Sequence, residues 1–163
     1  MDPNDSSKWI FNLRKGAKFH DGSEFDADAV IFNFDKLFDK DSPQYSARQA
    51  SLVNFRIPAV KGWKKIDKYT VEFSTKGPDS FFPYQVVYIL MASPKQWADT
   101  GQDWNQFATT PSGTGPWRLT QLVPRERAEF VPFEGHWDKT RVPKLDKVVT
   151  LPIPDPNART AAL

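Results

Sequence analysis

The amino-acid sequence predicts an α+β domain, with a mixed but mainly antiparallel sheet and helices packed against it. Three observations carry this prediction. Stretches that alternate with a period of two stand at 9–14 and 69–75, and two further extended segments at 117–123 and 127–133 read as an antiparallel pair. One stretch, following Asp26, switches to helical spacing. The 14 prolines and 8 glycines are scattered among apolar runs, which marks many turns and not one linker.

Trp9, Phe11 and Leu13 alternate with Ile10, Asn12 and Arg14, predicting a strand with one strongly apolar face. The Asp21-Gly22 pair reads as a turn. Ala27, Val30, Ile31, Phe34, Leu37 and Phe38 then fall on one side of a helix predicted over 26–39, with Asp26 as its cap and Asp28 against the positive end of its dipole. Tyr69, Val71 and Phe73 alternate with Thr70, Glu72 and Ser74, as in a half-exposed strand, and the preceding KGWKKID forms a hairpin with it. The basic run at 61–65 reads as a solvated turn ahead of that strand. After Gly77-Pro78 the apolar run 81–91 predicts a helix buried on most sides, with Pro83 in its first turn. Pro124 and Arg125 join an antiparallel pair, and a further strand is predicted over 148–153. Asp155-Pro156-Asn157 opens a last helix close to the end of the given sequence, the pattern expected of a piece of a larger protein.

With 39% hydrophobic and 26% charged residues, the chain can bury an ordinary core, and 13 Phe, 6 Trp and 4 Tyr make that core aromatic. A net charge of +2 is far too small for a nucleic-acid binder. There is no cysteine, so disulfides and thiolate metal sites are excluded. The apolar run 81–91 falls well short of the roughly 20 residues needed to span a bilayer. The opening MDPNDSSKW has neither a basic start nor an apolar stretch, so an export signal is expected upstream or already removed. His20 and His136 have no second ligand at metal-binding spacing. His20 reads as a turn residue and His136 as part of an aromatic surface corner. Ser112-Gly113-Thr114-Gly115-Pro116 lacks the Lys of a phosphate loop and reads as a tight turn whose glycines take conformations closed to other residues. No Gly-x-Ser-x-Gly elbow occurs. These readings favour a binding protein without a cofactor over an enzyme.

Two strings narrow the class. WIFNLRKGAKFHDGSEFDADAVIFNFDKLF, and SGTGPWRL followed by FEGHWDKTRVPKLDKVVTLPIPDPNARTAAL, resemble the peptide/nickel-binding family (family 5) of ABC-transporter extracellular solute-binding proteins. The resemblance runs from Trp9 to Leu163 and is least characteristic over 39–61. One departure is His136-Trp137, where Tyr-Trp is commoner. Family members are much longer, so the resemblance implies part of the first lobe of a two-lobed periplasmic-binding-protein fold. A peripheral subdomain is included in residues 1–163, while an N-terminal portion and a second lobe lie outside them. It implies a peptide-like small solute, an ABC permease of the inner membrane as partner, and a periplasmic or membrane-anchored extracellular location. Lobe closure would trap the solute without chemistry on it. It also implies Tyr45, Tyr88 and Met91 as solute contacts, and leaves Trp97, Trp104 and Trp117 as packing residues. The aromatic content and short strands alone would also permit a self-contained extracellular carbohydrate-binding or sensory module.

Overall fold

The strand period of two has its structural counterpart in a three-stranded antiparallel sheet of order β1-β3-β2, built from β1 (Lys8–Asn12), β2 (Val60–Asp67) and β3 (Thr70–Thr75). The structure is a computed structural model that describes residues 2 and 5–162. In register, Trp9 and Trp63 flank Phe73, and Phe11 and Lys65 flank Val71. Val71 and Phe73 therefore share one face and are buried. The run 61–65 lies within β2 and not in a turn before it. Trp63 is half-buried and Lys64 turns to the opposite, solvent side, while Lys65, on the face of Trp63, stays exposed by reaching out to Asp28.

Helix α1 (Ala27–Phe38) lies across that face. Asp26 Oδ1 accepts from the Ala29 N–H at 3.2 Å, and Asp28 in the first turn takes Lys65 Nζ at 2.8 Å. Val30, Phe34 and Leu37 enter the core, where the Phe34 and Phe73 ring centroids stand 4.5 Å apart. Ile57, Phe82 and Ile89 complete it. Helix α2 (Ala47–Val53), capped by Ser46, packs on α1.

The expected buried helix over 81–91 does not form. Four residues make α3 (Phe82–Gln85), a 3-10 turn Val86–Tyr88 follows, and the chain then runs extended through 89–93. Only Phe82 and Ile89 of this run are buried, while Phe81, Tyr84, Val87 and Leu90 are 67–81% exposed. Burial of those two side chains satisfies the core, and β-branched Val86 and Val87 disfavour continuing the helix.

Helices α4 (Pro94–Asp99) and α5 (Trp104–Thr109) enclose a second, smaller core of Ala92, Trp97 and Phe107, against which Phe32 and Trp104 pack. A second antiparallel sheet, β4-β5-β6, follows: β4 (Trp117–Val123), β5 (Arg127–Pro132) and β6 (Val148–Thr150). Arg125 takes φ 65° in the turn between β4 and β5. Strand β6 is shorter than the predicted 148–153, because Pro152 and Pro154 have no N–H to continue a ladder. Helix α6 (Pro156–Ala161) starts where expected, with Asp155 Oδ1 accepting from Ala158 N–H at 2.8 Å.

Candidate functional site

The two motif strings meet in space. His20 N–H donates to the Gly113 carbonyl at 2.9 Å, and the Gly113 N–H donates to His20 Nδ1 at 3.3 Å. With Nδ1 an acceptor, the ring proton sits on Nε2, which donates to the Gly115 carbonyl at 2.9 Å. Burial holds the His20 pKa below its ordinary value, against the Gly115 carbonyl and Asp21, which favour the proton. Gly113 contributes through its backbone, and a side chain there would make only ordinary van der Waals contact. Neither Gly113 nor Gly115 adopts a positive φ, contrary to the expectation for this loop, and a Cβ on Gly113 would stand 3.7 Å from the Met91 carbonyl and 3.9 Å from the His20 ring.

Asp21 extends the junction. Its Oδ1 accepts from the Ser23 N–H at 2.8 Å and its Oδ2 from the Ser93 hydroxyl. Burial alone would raise the carboxyl pKa, but the hydrogen bonds from Ser23 and Ser93 outweigh it and hold it low. Ser93 Oγ also caps α4 through Gln96 N–H at 3.1 Å, and Ser93 N–H donates to the Ser112 carbonyl at 3.0 Å. The corner at 133–137 closes on the same place: the Phe133 ring meets His20 edge-on at 5.0 Å, and Arg14 stacks on Trp137 at 4.2 Å. His136 is buried, at 4% exposure, not at the surface as expected. Trp137 takes the outer position under Arg14 and turns His136 inward.

The junction fixes one end of the extended segment 89–93, and α1 fixes its middle. Asn33, fully buried, donates through Nδ2 to the Ala92 carbonyl at 2.9 Å and accepts the Ala92 N–H on Oδ1 at 2.8 Å. Lys36, only 2% exposed, donates to Asn33 Oδ1 at 2.8 Å and the Leu90 carbonyl at 3.0 Å, with its ammonium 5.4 Å from the centre of the Trp104 ring. Burial pushes its pKa down to about 8. Sequence reasoning missed both residues. The available signal was a polar residue on the apolar face: Asn33 falls beside Val30, Phe34 and Leu37.

Pinned in this way, the segment buries Ile89, Ala92 and Ser93 and turns Leu90, 81% exposed, out to solvent. Tyr88 and Leu90 border a cleft of about 210 Å³ whose other walls are Lys36, Leu37, Gln49, Leu52 and Val53. Tyr88 is 46% exposed, with the Arg56 guanidinium 4.6 Å above its ring. Met91, the next expected contact, is half-buried and packs on the first core. Tyr45 lies half-buried between α1 and α2, its N–H bonded to the Ser42 carbonyl at 3.0 Å. Of these three residues, only Tyr88 lines this cleft. A larger concavity of about 440 Å³ borders His20, Asp21, Ser112 and Arg118. Its His20 and Asp21 groups are already committed to the junction. Among the described residues, no three His, Cys, Asp or Glu side chains are grouped as a metal requires, and no helix is long and apolar enough to cross a membrane.

Comparison with solved structures places this arrangement among two-lobed periplasmic binding proteins. All of the chain superposes on 34% of the ABC transporter-associated periplasmic binding protein DppA from Helicobacter pylori, solved with the peptide STSA, at a TM-score of 0.78 and 27% identity. A dipeptide binding protein from Pseudoalteromonas sp. SM9913 shares the fold, at a TM-score of 0.80 over 96% of this chain and 33% of that one, with 24% identity. A family model for bacterial extracellular solute-binding proteins, family 5 Middle, matches residues 3–163, and the chain belongs to that family. Among curated relatives, the dipeptide-binding protein of Escherichia coli (strain K12) is 30% identical over 98% of this chain and 32% of its own length. The glutathione-binding protein GsiB of Pectobacterium atrosepticum is likewise 30% identical, over 98% and 29%. The chain thus spans about a third of the length of the curated relatives it matches. These relatives are named as binding proteins. They support the solute-receptor reading and not the carbohydrate-binding alternative.

Proposed function

We propose that this chain is part of the solute-binding component of an ABC importer, which captures a peptide or similar small solute outside the cytoplasmic membrane and delivers it to a membrane permease. In this reading, residues 1–163 supply part of the first lobe, including a peripheral subdomain, and a second lobe closes over the solute. The protein performs no chemistry on its cargo and uses no cofactor. The observation that carries the proposal is the pinned segment 89–93. Asn33 and the junction hold its backbone rigid, while Tyr88 and Leu90 stand outward at a cleft. A rigid backbone presenting apolar and aromatic side chains recognises a ligand with little ordering cost. Tyr88, together with Tyr45 and Met91, is proposed to contact the solute. Calorimetry on the protein produced from its native gene, titrated with di- and tetrapeptides including Met-Leu, tests this. Saturable binding is expected, with the peptide recovered intact by mass spectrometry. Failure to bind any peptide of the panel, or conversion of a bound one, overturns it.

A further inference from the structure

The cleft beside Tyr88 has one sign of charge. Among the described residues Lys36, which underlies it, has no carboxylate partner, and its ammonium is held by the Asn33 amide oxygen, the Leu90 carbonyl and the Trp104 ring. Arg56 is exposed and stacks on Phe55 and on Tyr88, which lines the cleft, again with no carboxylate bonded to it among the described residues. None of the residues lining the cleft is acidic. The nearest acid in sequence, Asp35, has its carboxylate engaged by Trp63 Nε1 at 2.7 Å and Gln44 Nε2 at 3.3 Å. Besides Tyr88 and the neutral amide of Gln49, the walls are apolar: Leu37, Leu52, Val53 and Leu90, with Leu52 62% exposed and Leu90 81%. At about 210 Å³ the cleft is smaller than the ~300–1,000 Å³ of whole-ligand pockets, so it suits one side chain and an adjoining group.

From this juxtaposition we infer that the cleft takes the carboxylate end of an apolar amino acid or peptide, with the side chain between Leu52 and Leu90 and the carboxylate on Arg56. An exposed guanidinium held flat on an aromatic ring keeps its planar edge free for bidentate pairing with a carboxylate. Lys36 adds a fixed positive charge under the floor, in a setting where screening by water is weak. A neutral apolar group would satisfy the walls but leave both cations uncompensated. The inference deepens the receptor reading, and rests on it only in taking the occupant to be a solute.

The probes are N-acetyl-L-leucine and its uncharged amide, titrated into this chain while backbone amide resonances are followed by NMR. The acid is expected to shift Gln49, Val53 and Leu90 and to bind about tenfold more tightly than the amide, the difference of one charge-assisted pair. Arg56→Gln, at an exposed position, should leave the fold intact and bring the two affinities together, while Tyr88→Ala should weaken both. Equal affinities in the unaltered chain, shifts confined to other residues, a preference that survives Arg56→Gln, or no saturation by either probe at its solubility limit would each overturn the assignment. The cleft is read directly on this chain. A failure here therefore leaves the peptide-capture result standing, and a failure of peptide capture leaves this selectivity measurable.

Discussion

At the scale of single residues, the decisive groups are polar ones in apolar places. Asn33 satisfies both the N–H and the carbonyl of Ala92 while fully buried. Asn33→Ala strands those two backbone groups, and each buried unsatisfied group costs about 1–3 kcal/mol. Lys36→Met removes a buried cation that has no counter-charge and substitutes an apolar chain that fills similar space, so its cost is expected to be much smaller. Urea denaturation should therefore show Asn33→Ala destabilised by about 2–4 kcal/mol and Lys36→Met by clearly less. A smaller loss for Asn33→Ala than for Lys36→Met would show that Asn33 does not hold the segment. The sequence announced neither role, because a mid-helix Asn or Lys ordinarily faces water, and the backbone groups of Leu90 and Ala92 that these two hold lie more than fifty residues away. Asp26 was legible because its role is local, a helix cap, and His20 only in the place of its backbone at a turn. Even so, the bond from His20 across to Gly113 and Gly115 could not be read from a turn alone.

Among elements, α1 and β3 were legible because periodicity agrees with tertiary burial along their whole length, with a cap as a second signal for α1. The run 81–91 was not, since uniform apolarity carries no period from which to tell inside from outside. The structure separates neighbours sharply: Phe82 is fully buried while Phe81 and Tyr84 are 71% and 73% exposed. Phe82→Ala should cost about 3–5 kcal/mol, as expected for an aromatic removed from a filled core. Phe81→Ala and Tyr84→Ala should stay within about 0.5 kcal/mol of the parent. Denaturation midpoints for the three variants decide between the short turn seen here and the buried helix that composition implies. Comparable losses at all three positions would restore the helix.

For the whole molecule, the second sheet raises the question of what its apolar face meets. Trp117, Phe130, Val148 and Thr150 line an open apolar hollow of about 200 Å³, and nearby Leu145 and Leu151 are 64% and 65% exposed. Among the described residues, strand β6 pairs only with β5, so its far edge is left open. An apolar face beside an open edge is a template for pairing with another chain. Since the chain spans about a third of its curated relatives' length, we propose that other segments of such a protein cover this face in the two-lobed whole. The resemblance in the sequence pointed to that larger setting, but the exposed face itself could be seen only once the strands were paired. Alone in solution, the chain should then associate with itself in a concentration-dependent way, and sedimentation velocity over a dilution series should show this. Val148→Lys places a charge in the hollow and should shift the population to monomer. Leu90→Lys, on the separate cleft beside Tyr88, should leave the association of the second sheet unchanged. A chain that stays monomeric across the series, or one dissociated by Leu90→Lys and not by Val148→Lys, would mean that this sheet face is not where the molecule joins its neighbours.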